Sequence, residues 1–225
     1  MFRQRLPEIV VQELLDDMFR IVKNYHESVR LTGRRVADLI PGTAVFPGGT
    51  GLWRGDVCRG PLPQYFPELP VMFLAHNFDS VVAHDRSRER GGEVESSFFW
   101  KVLREYLHEA GVRPEHCFFT NALMGLQPKS AVGSMPTVPG YEEQCREFLR
   151  RQFEIVAPRA VIALGGKARD RLRKADCGLP WIHVMHPSAR EFRPLETRGE
   201  RIKAQAAAIR EFLASLNGED ARSAR

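Results

Sequence analysis

The chain alternates between short apolar runs and longer segments that carry apolar residues at helical spacing. The apolar runs are VMFLA at 71–75, HCFFTNAL at 116–123, RAVIAL at 159–164 and WIHVM at 181–185. Continuous apolar runs of this length are typical of strands buried on both faces of a parallel sheet. The alternation therefore predicts a three-layer α/β/α domain around a central four-stranded, mainly parallel sheet.

Helical spacing appears in the segments between these runs and after them. The predicted helices are SSFFWKVLREYLHEA, ended by Gly111; YEEQCREFLRRQFEIV, stopped before Pro158; GGKARDRLRKA; and a final helix near 199–216. A further helix is predicted at about 7–30, and irregular segments rich in proline, glycine or charge are predicted at 40–70, 79–94 and 127–140. We expect a helical N-terminal extension at 1–40, an α/β domain at 41–216 and a polar tail at 217–225.

Composition narrows the class of protein. The 43% hydrophobic and 27% charged fractions are ordinary for a globular protein, and no apolar stretch is long enough to span a membrane. Residues 1–30 lack a signal-peptide core, which predicts a cytoplasmic protein. The net charge of +5 is compatible with a polyanionic partner, and basic residues gather at 86–90 and again between Arg190 and Lys203. A solvated surface explains such runs about equally well.

The four cysteines give no sign of a metal site. Cys58, Cys117, Cys145 and Cys177 are scattered without a closely spaced pair, whereas structural zinc sites usually contain one. We therefore expect buried thiols and no bound metal.

The chemistry-bearing residues follow two of the predicted strands. HPSARE at 186–191 comes directly after an apolar run, and Pro187 restricts both its own φ and the conformation of His186. Asn121 closes the strand CFFTN. In an open α/β sheet, ligands bind at the carboxyl ends of the strands, so both side chains are candidates for a ligand site.

Taken together, several fragments resemble the uracil-DNA glycosylase superfamily. They are LAHNFDS at 74–80, SFFWKVL at 97–103, FFTNALMGLQP at 118–128 and MHPSARE at 185–191, with CREFLRRQFEIVAPRAVIALGGKAR between the last two. The resemblance covers about residues 71–190. Each motif is weak alone, but their order and spacing are jointly specific, and they imply the three-layer fold of that superfamily.

The resemblance implies roles for the residues at both strand ends. His186 would donate a hydrogen bond to the base carbonyl that gains negative charge as the glycosidic bond breaks. Asn121 would read the edge of the flipped-out base, since an amide offers both a donor and an acceptor. Phe99, or failing it Phe98, would stack on the base. A histidine in a plain turn, a turn-capping asparagine and ordinary core aromatics, among them Trp100, are the structural alternatives.

The first motif departs from the family pattern. Family versions place a glycine and a proline around the water-positioning residue, whereas this chain has Ala75-His76-Asn77-Phe78-Asp79. Asn77 falls where some branches keep a water-positioning asparagine. Asp79 is a second candidate as an acid or electrostatic partner, and His76 is a candidate for base binding. We expect a slow enzyme, because an asparagine can hold water by hydrogen bonds but cannot accept a proton as a general base.

The resemblance also implies contacts with DNA. Ser188, Ala189 and Arg190 occupy the loop that in relatives inserts where the base has left the stack, and Arg190 would fill that gap, contact phosphate or lie on the surface. The iron-sulfur branch of the family has Lys-Cys after its strand asparagine, where this chain has Met124-Gly125, and the paired N-terminal cysteines of that branch are absent as well. Cys145 alone cannot hold a cluster. GGKA at 165–168 lacks the other residues of a phosphate-binding loop, which excludes a nucleoside triphosphatase.

The predicted function is a monofunctional DNA glycosylase of base excision repair that acts on a deaminated base, most readily uracil. The resemblance implies no metal, lyase lysine or nucleotide cofactor, and DNA as the partner of a monomer. Three alternatives remain open at this point. They are a glycosylase for hypoxanthine or xanthine, a non-catalytic relative that binds nucleic acid, and a protein whose similar sheet binds an unrelated small ligand.

Overall fold

Four strands form a single sheet in which every neighbouring pair is parallel. The computed structural model describes residues 70–77, 97–123, 140–189 and 197–223. The strands are β1 Val71–Asn77, β2 Cys117–Leu123, β3 Ala160–Leu164 and β4 Trp181–Val184, in the order β2-β1-β3-β4. The predicted parallel sheet is confirmed, and its apolar runs are buried because helices cover both of its faces.

The described helices follow the predicted positions. They are α1 Phe98–Ala110, α2 Tyr141–Val156, α3 Gly166–Ala175 and α4 Arg198–Ser223. Helix α1 ends at Gly111, whose φ of 71° is the left-handed conformation that glycine adopts without strain. Helix α4 runs to Ser223, whereas the apolar pattern predicts an end near 216. The predicted helix at 7–30 and the irregular segment at 79–94 lie outside the described residues.

One face of the sheet packs against α1 and α4. Alternate strand residues face these helices, because successive side chains in a strand point to opposite sides. The buried set includes Phe73, Phe119, Ile162 and Val184 from the strands and Trp100, Leu103, Tyr106, Ile202 and Ile209 from the helices. Ala75 and Phe99 pack against this cluster at its rim. This face of the sheet therefore carries the hydrophobic core up to the carboxyl ends of the strands.

The other face packs against α2 and α3. A hydrogen bond from Thr120 Oγ1 to Gln152 Oε1, at 2.7 Å, ties β2 to α2 in the interior. Both residues are buried, so this bond satisfies polar groups that burial would otherwise leave without partners. Asn121, the next residue of β2, alternates to the α1 and α4 side.

Side-chain caps set where α1 and α4 begin. Ser97 Oγ accepts the Trp100 N–H at 3.4 Å, so Phe98 and Phe99 fall in the first turn of α1. Thr197 and Glu200 form a reciprocal capping box, with the Thr197 N–H bonded to Glu200 Oε2 at 2.7 Å and the Glu200 N–H to Thr197 Oγ1 at 3.2 Å. Since α1, α2 and α3 each follow a strand and lead to the amino end of the next, their N-termini lie at the carboxyl edge of the sheet. No helix in the described part of the chain combines the length and apolarity that a membrane crossing requires.

Candidate active site at the carboxyl edge of the sheet

His186 sits in a tight turn that begins two residues after β4. The Ala189 N–H donates to the His186 carbonyl at 2.8 Å, which closes a four-residue turn with Pro187 at its second position. Proline suits this position because its ring presets the φ that the turn requires. The turn therefore holds the backbone of His186 at the carboxyl edge of the sheet.

The same turn determines which imidazole nitrogen of His186 carries the hydrogen. The backbone N–H of Ser188 points at His186 Nδ1, with a nitrogen separation of 3.1 Å. An amide N–H can only donate, so Nδ1 acts as the acceptor and the neutral ring carries its hydrogen on Nε2. Burial, together with a smaller electrostatic effect of the nearby His76, lowers the pKa of His186 to about 4. At neutral pH, His186 is thus a neutral ring with an Nε2–H donor.

Phe99 packs directly against the imidazole. The ring centroids of Phe99 and His186 are 5.3 Å apart with an interplanar angle of 43°. Phe99 in turn meets Trp100 edge-on at 5.1 Å, and Trp100 meets Phe119 at 5.6 Å. Trp100 is only 5% exposed, which confirms it as a core residue. This series of ring contacts connects His186 to the face of β2 on which Asn121 lies.

Phe98 has a different environment from its neighbour. It is 49% exposed, and the Arg198 guanidinium lies 5.4 Å from its ring centroid. Arg198 also bonds to Glu105 of α1 at 2.6 Å. Of the two candidate phenylalanines, the structure therefore brings Phe99, and not Phe98, against His186.

Asn121 presents a buried carboxamide near this edge. Its residue is 7% exposed, it pairs in register with Ala75 of β1, and it belongs to a strand buried throughout. The residue is mostly buried yet carries an amide that can both donate and accept, so its position is suited to a ligand that bonds to it.

His76 and Asn77 form a second pair at the end of β1. The His76 Nδ1 and Asn77 Oδ1 atoms are 2.9 Å apart, and since an amide oxygen only accepts, His76 donates. Burial lowers the pKa of His76. The bond to Asn77 opposes that shift, while Lys167 and Arg171 add to it. The imidazole of His76 thus orients the carboxamide of Asn77.

Three residues that the sequence patterns did not single out hold the His186 segment. Gly165 follows β3 with φ of 90°, and a Cβ there would lie 2.9 Å from the Cβ of His186. The Met185 N–H donates to Gln205 Oε1 at 2.8 Å, and Arg201 Nη1 donates to the Ala189 carbonyl at 3.1 Å. Gly165 carried a partial signal, as the glycine after a buried strand. Arg201 belongs to the basic run between Arg190 and Lys203, but that run did not indicate a buried bond to the turn, and Gln205 carried no signal.

A cavity of about 130 Å³ lies at the end of β2, beside α2 and α3. Its walls include Ala122, Glu142, Arg146, Arg171 and Lys174. Arg171 bonds to both carboxylate oxygens of Glu142, which holds the pKa of Glu142 below its ordinary value. The charges in this cavity are largely paired with one another, and none of its lining residues is a predicted site residue.

Of the remaining predicted site residues, the structure describes Ser188 and Ala189. Ser188 is exposed and Ala189 half-buried in the turn, whereas Asp79 and Arg190 lie outside the described residues. Cys117 and Cys145 are buried, and Cys177 is half-buried. Within the described ranges, no three histidine, cysteine, aspartate or glutamate side chains gather as metal ligands would.

Comparison with known proteins identifies the family. The model of the Uracil DNA glycosylase superfamily matches residues 71–216, which is more than half of the chain and includes every described strand. A search of curated proteins finds no significant match. The family match agrees with the resemblance in the sequence motifs and with the four-stranded parallel sheet. The chain belongs to the uracil-DNA glycosylase superfamily.

Proposed function

We propose that the protein is a monofunctional DNA glycosylase that hydrolyses the bond between a flipped-out deaminated base and its deoxyribose. The proposed main substrate is uracil. The observation that carries this proposal is the orientation of His186, whose Nδ1 accepts the Ser188 N–H and whose Nε2–H is left as a donor. The family match supports glycosylase chemistry in general. The choice of uracil and the residue roles rest on the resemblance in the sequence motifs, and the geometry of the described residues supports them.

His186 stabilises the leaving group in this proposal. As the N1–C1′ bond of deoxyuridine breaks, its electron pair moves onto the base, and negative charge develops on the ring nitrogen and the adjacent carbonyl oxygen. A neutral Nε2–H donor aimed at that oxygen bonds more strongly in the transition state than in the ground state, which accelerates the reaction. The low pKa of His186 keeps the ring neutral, so it donates a hydrogen bond and does not transfer a proton.

Asn121 and Phe99 recognise the base. The carboxamide of Asn121 offers a donor and an acceptor to the adjacent carbonyl and imino groups of uracil. Phe99 replaces part of the stacking that a base loses when it leaves the duplex. Its ring is already held between His186 and Trp100, so little conformational entropy is lost on binding.

Asn77 positions the attacking water, and Asp79 assists as an acid or electrostatic partner. An asparagine cannot serve as a general base, but its oxygen can accept a hydrogen bond from water while it keeps the bond from His76. Water then adds to C1′, its proton is released, and the products are the free base and an abasic deoxyribose. Cleavage through an oxocarbenium-like transition state depends strongly on the leaving group, which accounts for a slow enzyme without a strong base.

The carboxyl edge is electrostatically suited to DNA. The N-termini of α1, α2 and α3 lie there, and the partial positive charge of a helix N-terminus attracts phosphate. Ser188, Ala189 and Arg190 are proposed to contact the strand beside the extruded base. Phosphate contacts of this kind make binding weaker as the salt concentration rises.

The proposal is tested by incubating the protein with single- and double-stranded oligonucleotides that carry uracil, hypoxanthine or xanthine, followed by alkaline cleavage of abasic sites. We expect cleavage at uracil. His186→Ala should reduce the rate at least about a hundredfold, as the loss of one oxyanion donor does in other enzymes. His183→Ala is the matched control, because His183 is exposed on β4 three residues earlier.

Other outcomes separate the alternatives. Cleavage only at hypoxanthine or xanthine would reassign the base and retain the chemistry. Salt-sensitive DNA affinity without an abasic product, even at stoichiometric protein, would identify a nucleic-acid-binding relative that lacks activity. Equal effects of His183→Ala and His186→Ala would contradict the role of His186.

A further inference from the structure

Both ends of the His186 turn are bonded to one helix. Gln205 accepts the N–H of Met185, just before His186, and Arg201 donates to the carbonyl of Ala189, just after Ser188. Residues four apart lie on the same face of a helix, so the two α4 side chains reach the turn side by side. The capping box at Thr197 and Glu200 fixes where α4 begins. It therefore also fixes the positions of Arg201 and Gln205 along the helix axis.

We propose that Arg201 and Gln205 are positioning residues that hold the turn so that the Ser188 N–H stays on His186 Nδ1 and the Nε2–H stays directed at the base. The proposal rests on the proposed glycosylase function for its catalytic consequence. Its structural part concerns the tautomer of His186 alone, so that part can be tested without any substrate.

The burial of Arg201 supports a positioning role. Arg201 is only 1% exposed, although it carries a charge. Removing a guanidinium from water is costly, and an apolar side chain of similar volume often stabilises a fold as well or better. A directed donor to the Ala189 carbonyl gives this buried guanidinium a role in holding the turn.

The geometry of the turn explains why the two bonds matter. The Ser188 amide lies between the two anchored ends, and its direction changes if either end shifts. A neutral imidazole that loses the bond to Nδ1 can carry its hydrogen on either nitrogen, and part of the population then lacks the Nε2–H donor. A displacement of about 1 Å in a catalytic group can cost about a hundredfold in rate.

The experiment compares Arg201→Met with Arg210→Met. Arg210 is the matched control, since it lies on the same helix and its Nη1 also donates to a backbone carbonyl, that of Glu109, at 3.1 Å, but far from the turn. Nitrogen NMR of the labelled imidazole reports which nitrogen of His186 is protonated. We expect Arg201→Met to change that signature and to lower kcat at least about tenfold with KM changed less than about threefold, and Arg210→Met to do neither.

A second pair of variants tests the Gln205 contact and covers the case in which Arg201→Met fails to fold. Gln205→Glu retains an acceptor for the Met185 N–H and should keep the wild-type NMR signature of His186, whereas Gln205→Met removes the acceptor and should change that signature.

Unchanged NMR signatures in Arg201→Met or Gln205→Met would overturn the proposal. So would equal losses in Arg201→Met and Arg210→Met. An inactive wild type with the expected signatures would refute the proposed function and leave the positioning role standing.

Discussion

Two histidines at the carboxyl edge of the sheet show how surroundings set the chemistry of one residue type. Both have a pKa lowered by burial. His186 accepts a backbone N–H at Nδ1 and lies against an aromatic ring, whereas His76 donates from Nδ1 to Asn77 near the charges of Lys167 and Arg171. The neutral rings are therefore opposite tautomers, which suits His186 to stabilise charge on a leaving group and His76 to orient a neighbouring side chain.

Asn121→Leu tests the His186 side of this comparison and should have the largest effect among the binding residues. Leucine has a similar volume but neither donor nor acceptor, so base binding loses both bonds and kcat/KM should fall about a hundredfold, or about 2.7 kcal/mol. Because leucine removes a polar group from a residue that is only 7% exposed, thermal unfolding should show equal or higher stability.

Thr120→Val is the control for that variant. Thr120 is the neighbouring buried residue, but it faces α2 and bonds to Gln152. We expect lower stability, by about 1 kcal/mol, with nearly unchanged activity. A stable Asn121→Leu protein that still cleaves uracil at the wild-type rate would remove Asn121 from the site.

Phe99→Ala and Phe98→Ala sharpen the comparison at the ring that touches His186. Base stacking on an aromatic side chain is worth about 1–3 kcal/mol, so Phe99→Ala should lower kcat/KM roughly tenfold to a hundredfold. Phe98→Ala should change it less than about threefold, because Phe98 lies outward under Arg198. Steady-state kinetics on a uracil oligonucleotide would measure both, and a larger loss in Phe98→Ala would reverse the assignment.

His76→Ala, Asn77→Ala and Asp79→Ala test the β1 side, where we expect smaller effects. Each should lower cleavage by about tenfold or more, which is about 1.4 kcal/mol. Since His76 acts through Asn77, the double variant should lose little more than Asn77→Ala alone. Additive losses would show that His76 acts separately, for example by contacting the base.

The pH dependence tests the state of His186. Of the predicted effects, we expect this one to be the smallest near neutral pH. The folded-state pKa of His186 is about 4, below the ordinary value of 6.5, so the ring stays neutral and activity should be flat from about pH 6 to 8. The unfolded state binds the extra proton first, so the His186 contribution to stability is lost as pH falls from about 6.5 to 4. Urea unfolding of wild type and His186→Gln across this range should show a smaller loss in the variant.

The elements and their order were predictable because their signals are local. Apolar runs gave the four strands, the YEEQ segment and Pro158 gave the bounds of α2, and Gly111 gave the end of α1. The end of α4 was misplaced because the apolar pattern fades before the helix does. Its start had a readable signal in Thr197 and Glu200, three residues apart, which is the capping-box pattern.

The candidate site was only partly predictable. His186 follows from a strand end and a family motif. Asn121 follows from its motif, but it does not close its strand as predicted, because β2 continues to Leu123. Nothing local distinguishes Phe99 from Phe98, since both begin the same helix. The contact with His186, 87 positions away, depends on how α1 packs beside the turn. Gln205 and Arg201 were missed for the same reason, because a glutamine and an arginine on a polar helix look like surface residues.

The sequence by itself determined an alternating α/β chain, its parallel sheet and the edge at which histidine and asparagine appear, because hydrophobic period and turn chemistry act between near neighbours. Only the tertiary structure decided which nitrogen of His186 carries the hydrogen, which phenylalanine meets it and which helix holds its turn. These depend on hydrogen bonds and ring contacts between distant segments, whose directions exist only once the layers have packed.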